Sequence, residues 1–240
     1  MQLGPGRSWH IGYLGSHEPR YRADLRLIEA LAPTGPILEI GSAPCHMTAL
    51  LKLSGKSIVG VDLNPDRVAD FIRQLNLDVR RCDVERSVLP FADNFFACVL
   101  LCETFEHLRI DPGFVLSEIN RVMVPGAPLV LTTPNVYSLP SLGRFFLGKS
   151  VADPVQEFAK LRSLGHMGHV REYSAGEVAR FLEASGLAVQ SIDYRYHASG
   201  WGWKRRILRL IYPLAPKRFR REIVIVARKT RPGPGLAPLG

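Results

Sequence analysis

Cysteine is scarce in this chain. Its four thiols, Cys45, Cys82, Cys98 and Cys102, form no C-x-x-C pair. Cys98 and Cys102 fall in one apparent strand, about 13 Å apart at ~3.3 Å per residue, too far for a disulfide. Packed thiols in a reducing compartment are the expectation. A long apolar run is missing too. The longest, Phe95 to Cys102, is far too short to span a bilayer. The opening MQLGPGRSWHIGYLG has no apolar stretch of the signal-peptide kind. Together these absences predict a soluble, cytoplasmic protein. Internal repeats are absent as well. Acid is nearly absent from the end of the chain: between Arg195 and Arg231 Glu222 stands alone among twelve Lys and Arg residues. The net charge of +9 comes from this segment, and the rest is close to neutral.

What remains is an ordinary globular composition, 240 residues and 46% apolar, enough for one large α/β domain. Apolar strands alternate with helical spacing almost throughout. Leu25, Ile28 and Leu31 mark a helix over 21–31, stopped by Pro33-Thr34-Gly35-Pro36. Strands are expected at 37–40, 57–62, 78–83, 96–102, 128–133, 187–194 and 222–227. Helices are expected at about 47–53 and 65–75, after Pro112, and after the capping-box pattern Ser174-Ala175-Gly176-Glu177. Alternation of this kind predicts a doubly wound α/β sheet that binds ligands at the carboxyl ends of its strands. Residues 134–170 read as a long insertion with helical fragments. Residues 230–240, TRPGPGLAPLG from Thr230, read as a disordered tail.

The turn after the first strand, Glu39-Ile40-Gly41-Ser42-Ala43-Pro44-Cys45, is short of glycine. A dinucleotide turn, G-x-G-x-x-G, would need glycine at Gly41, Ala43 and His46, a poor match. Against acid-x-G-x-G-x-G the positions are Glu39, Gly41, Ala43 and Cys45, with small residues at the two substituted sites. Asp62 ends the second strand about twenty residues later, where a carboxylate can accept ribose hydroxyls. Cys82-Asp83-Val84 ends the third. LPFADNFFACVLLCETFEHL (89–108) and RVMVPGAPLVLTTPN (121–135) follow.

This series, over roughly residues 21–194, resembles the class I S-adenosylmethionine-dependent methyltransferases, especially the branch with the ubiquinone-biosynthesis O-methyltransferases. The resemblance implies a Rossmann-like seven-stranded sheet with an antiparallel last strand. It implies a cofactor lying across Glu39, Gly41, Ala43, Asp62, Leu63, Asp83, Val84 and Cys102. It also divides the chain into an N-terminal lid (1–20), a methyltransferase domain (21–229) with a substrate cap (134–170), and the tail. Trp9, Tyr13 and Tyr137 would be available to stack on an acceptor. The alternative is a non-catalytic Rossmann-like binding protein whose loop has decayed at Ala43 and Cys45.

Glu103, Glu106 and His107, at i, i+3, i+4, would share one helical face beside the methyl group. In ubiquinone-type O-methyltransferases and small-RNA 2′-O-methyltransferases a similar E-x-x-E-H stretch joins a distant histidine to hold a divalent ion. Here His166, His169, Glu172, Tyr173 and Ser174 resemble the H-x-x-H-x-x-E-aromatic-[ST] context of the RNA enzymes. The resemblance nominates Glu103, Glu106, His107 and His169 as ligands for Mg²⁺ or Mn²⁺. Without a metal, His107 or His169 would be the general base. Arg171 reads equally as an anion contact or as one end of a surface salt bridge.

Residues 201–221, with Trp203, Ile207, Leu210, Ile211 and Leu214 on one side and Arg205, Arg206 and Arg209 on the other, read in two ways. They suit an anionic membrane surface through 203–221, which would make the protein peripheral. They equally suit a helix packed on its own sheet. No nucleic-acid recognition module or patterned base-stacking aromatics are visible. The function expected is methyl transfer, to the oxygen of a small-molecule, glycan or lipid-linked acceptor, with RNA 2′-O-methylation as the rival.

Overall fold

The computed structural model describes residues 5–164, 168–169, 171–196 and 215–238. The side chain of Trp9, all of His166 and residues 203–214 lie outside the described residues. Seven strands form one sheet: β1 (Ile37–Ile40), β2 (Ile58–Asp62), β3 (Val79–Arg81), β4 (Cys98–Cys102), β5 (Pro128–Pro134), β6 (Leu187–Arg195) and β7 (Glu222–Lys229). Their order is β3-β2-β1-β4-β5-β7-β6. The pairings from β3 to β5 are parallel, and β7 runs antiparallel to both β5 and β6. This is the expected seven-stranded Rossmann-like sheet with its antiparallel last strand.

Both faces of the central strands are covered, which is why they read as unbroken apolar runs. In β4, Cys98 and Leu100 pack with Ile28, Met47 and Leu51 under α1 (Pro5–Leu31) and α2 (His46–Leu53). Val99 and Leu101 pack on the other face with Phe114, Ile119, Val178 and Leu182 of α4 (Pro112–Val122) and α7 (Ala175–Ala184). Asp111 caps α4 by accepting from the Gly113 and Phe114 amides. Ser174 and Glu177 complete the capping box of α7. The 65–75 helix splits into a 3-10 turn, Pro65–Val68, and α3 (Ala69–Gln74).

Two expectations change. The first helix begins at Pro5, not near residue 21. Pro19 and three glycines in that stretch mask it, since an interior proline costs about 3 kcal/mol in an isolated helix. Tertiary contact overrides the cost: Tyr13 stacks on His46 of α2, and Tyr21 meets the same ring edge-on. The tail, expected to be disordered, runs against α4 instead. Asn120 donates to the Arg231 carbonyl and accepts from the Gly233 amide. A buried asparagine supplies what an apolar core would otherwise have to.

The insertion folds as α5 (Leu139–Phe146) and α6 (Pro154–Leu164), and its ends meet where Asn135 bridges Tyr173. No helix among the described residues is long and apolar enough to cross a membrane.

Candidate active site

The strand order reverses at β1, whose neighbours are β2 and β4, so a crevice opens beyond their carboxyl ends. The turn after β1 forms its floor. Gly41 holds φ 70°, and a Cβ there would lie 2.3 Å from Thr104 Oγ1. Thr104 binds back to the strand ends, its hydroxyl facing the Ile40 and Cys102 carbonyls. Gly60 makes a second allowance, since a Cβ on it would press on Ser42 Oγ at 2.7 Å. Cys45, in the last glycine position, takes φ 64°, the left-handed backbone that glycine provides. The turn therefore keeps its shape with one glycine. Burial pushes the Cys45 thiol up to about 12, so it stays protonated.

Asp62 closes β2 with its carboxylate 5% exposed. Oδ2 accepts from the Ala43 amide at 3.0 Å, and Oδ1 from the Asn64 amide at 2.8 Å. Arg67 stands 3.6 Å from Oδ2 and donates to the Ala43 carbonyl. Each carboxylate oxygen thus accepts one backbone N–H, and Oδ2 also faces the Arg67 guanidinium. Leu63, beside it, is 38% exposed. Asp83 follows β3, and its Oδ1 accepts from the Glu85 amide at 3.1 Å. Val84 packs against the core at its edge.

Glu39 is buried, and Thr48 donates to it. Burial raises its pKa to about 8, against which the Thr48 hydrogen bond works. Glu39, Gly41, Ala43 and Cys102 line a narrow pocket together with Tyr13 and Arg20 of α1. Arg20 pairs with Glu103 at 3.1 Å. The sequence reading missed Arg20, Thr104 and Gly60. Gly60 had a signal, a glycine inside the strand Ser57-Ile58-Val59-Gly60-Val61-Asp62. Arg20 had none, because it reaches the pocket by long-range packing.

The proposed metal group is only partly gathered. The spacing argument took residues 103–107 as α-helix. Instead Glu103 has φ 51° and a 3-10 turn, Phe105–His107, follows. The left-handed residue turns Glu103 toward Arg20, and a 3-10 turn closes in three residues. The donor atoms of Glu106, His107 and His169 lie within 4.8 Å of one another, without Glu103. Glu106 is 1% exposed and accepts from Thr133 Oγ1 at 3.0 Å. Burial, then the nearby Glu103, holds its carboxyl well above the usual range. His107 donates its Nδ1–H to the Gly168 carbonyl at 3.0 Å. That tautomer turns Nε2 into the acceptor nitrogen, 3.9 Å from Glu106 Oε1. His169 packs its ring edge-on against His107, centroids 5.0 Å apart, with Nδ1 3.5 Å from Glu172 Oε1. One carboxylate and two imidazoles, each imidazole held by an oxygen behind it, is a donor set that fits a divalent ion. Arg171, by contrast, ion-pairs with Glu177 at 2.6 Å.

Residues 38–131 match the family model described as a methyltransferase domain. No curated protein matches the chain. A SAM-dependent methyltransferase from Archaeoglobus fulgidus has a similar structure, with TM-score 0.62 and 22% identity over 89% of this chain and 94% of that one. A possible histamine N-methyltransferase from Thermotoga maritima scores 0.60 at 18% identity, covering 92% and 95%. Geranyl diphosphate C-methyltransferase from Streptomyces coelicolor, in complex with Mg²⁺, geranyl diphosphate and S-adenosyl-L-homocysteine, scores 0.58 at 16% identity, covering 89% and 80%. These structural likenesses show a shared fold. The matched segment runs from β1 into β5 and contains Gly41, Asp62, Asp83 and Glu106; residues 38–131 therefore match a methyltransferase domain, within a chain that shares its fold with S-adenosylmethionine-dependent methyltransferases.

Proposed function

We propose that the protein is an S-adenosylmethionine-dependent methyltransferase and that it methylates a hydroxyl oxygen of a small-molecule, glycan or lipid-linked acceptor, aided by a divalent metal ion at Glu106, His107 and His169. The observation that carries this reading is the convergence of those three side chains beyond β4, beside the cofactor crevice. Asp62 accepts from the ribose hydroxyls and Asp83 from the adenine amino group, with Leu63 and Val84 flanking the ring. Ala43 allows close backbone approach. At the methionine end, Glu39 meets the ammonium and Arg20 the carboxylate, so α1 serves as a lid over the pocket. A bound sulfonium supplies an already activated methyl group, so the protein's work is to align the acceptor oxygen and ease its deprotonation.

Glu106, His107 and His169 would hold the ion. Two imidazoles favour Mn²⁺ over Mg²⁺. An ion there supplies a lowered pKa for a bound hydroxyl. Without it, Nε2 of His107 or the ring of His169 would take the proton as general base. Calorimetric titration with Mn²⁺ tests the assignment. One ion should bind per chain, Glu106→Ala and His169→Ala should each lose it, and both should keep S-adenosylhomocysteine affinity. Unchanged Mn²⁺ binding in either variant would sink the metal site. Full turnover after exhaustive chelation would leave a histidine as general base.

The spacing of His169, Glu172, Tyr173 and Ser174 favours a second reading, RNA 2′-O-methylation. Binding to RNA with a steep salt dependence would promote it.

A further inference from the structure

The insertion displays more apolar surface than its fold uses. At the end of α5, Phe145, Phe146 and Leu147 follow one another at 71%, 82% and 73% exposure. On α6, Val155 and Phe158 are 78% and 66% exposed and share a face with Ala159 and Arg162. Single exposed apolar side chains are ordinary; three consecutive ones on a projecting helix end are not. Charge accompanies them. Residues 134–152 contain Arg144 and Lys149 and no acid at all. At the root of the insertion, Asn135 Nδ2 donates to the Arg218 and Arg220 carbonyls and its amide to the Arg221 carbonyl. This ties the basic run Lys217–Arg221 to the carboxyl end of β5. From there α5 is only eight residues long, about 12 Å at ~1.5 Å per residue.

We propose that this insertion docks the enzyme on an anionic lipid surface. Phe145, Phe146 and Leu147 enter the acyl boundary, with Arg144, Lys149 and the 217–221 run against the headgroups. Charge complementarity selects this occupant: aromatic and aliphatic tips beside a cluster of cations are what an interface of acidic lipids retains. The insertion also carries His169 back to the crevice, so docking would present the site to the bilayer. The docking surface stands independently of which oxygen is methylated.

The test uses the full chain and vesicles of phosphatidylcholine, with or without phosphatidylglycerol. The protein should float with the acidic vesicles and release as salt rises. F145S/F146S should weaken that binding by about ten-fold or more, since each lost phenylalanine forfeits favourable burial, with an unchanged melting temperature because both side chains are exposed. In F146W, added acidic vesicles should shift the emission to the blue. An unshifted emission, or equal binding by F145S/F146S, overturns the proposal by assigning any binding to another segment. Equal partition onto pure phosphatidylcholine overturns its electrostatic part. A concentration-dependent dimer abolished by F145S/F146S would instead make this face a contact between two copies.

Discussion

Asp62 is the residue on which the cofactor crevice turns. Its carboxylate braces the Ala43 and Asn64 amides, so it shapes the turn that it would share with the ribose. Asp62→Ala should weaken S-adenosylmethionine binding about ten-fold or more, the order of a lost charge-assisted hydrogen bond worth about 1.5–3 kcal/mol. Calorimetry finding unchanged affinity in a folded variant would refute the role. Glu39 makes a different kind of prediction. Its pKa rises on folding from 4.5 to about 8 through burial. The stability of the neutral form is fully present below about pH 4.5, is lost as pH rises toward 8, and changes no further above that. Glu39→Gln stays neutral throughout. It should gain on the wild type between pH 5 and 8, by no more than about 1.4 kcal/mol per pH unit. Urea denaturation at both pH values checks this; a difference that does not grow with pH removes Glu39 from the buried, uncharged state.

At the scale of elements, the segment after β4 shows how a local turn redirects a site. The left-handed Glu103 sends its carboxylate to Arg20 of α1, while the 3-10 turn sends Glu106 and His107 toward His169. One loop thus reaches both α1, through Arg20, and the cluster of Glu106, His107 and His169. Arg20 and Glu103 are 12% and 24% exposed, and removing one partner of a largely buried pair leaves the other uncompensated. Arg20→Met should therefore lower S-adenosylhomocysteine affinity about ten-fold or more, and Arg20→Lys should recover part of it. Equal affinity of Arg20→Met and the wild type would reduce Arg20 to a strut of α1.

At the scale of the whole molecule, the folded sheet and the crevice predict linkage between cofactor and stability. S-adenosylhomocysteine at 100 times its dissociation constant should stabilise the fold by about 2.7 kcal/mol. Thermal denaturation measures it, and the same concentration should do less for Asp62→Ala. A chain that melts unchanged with the ligand would fit a decayed loop. The strands, the capping box, and the acids at the end of β2 and just beyond β3 were legible in the sequence because each rests on local pattern: apolar runs for strands buried on both faces, Ser174 and Glu177 three residues apart, Asp62 at a strand end. The sequence by itself therefore determined the sheet and the turn after β1. Only the tertiary structure decided that α1 starts at Pro5 and puts Arg20 in the pocket, that Asn120 pins the tail, and that Glu103 leaves the group that Glu106 and His107 join. Those outcomes depend on backbone dihedrals and on partners far apart in the chain, such as Arg20 with Glu103 and His107 with Gly168, which no local spacing encodes.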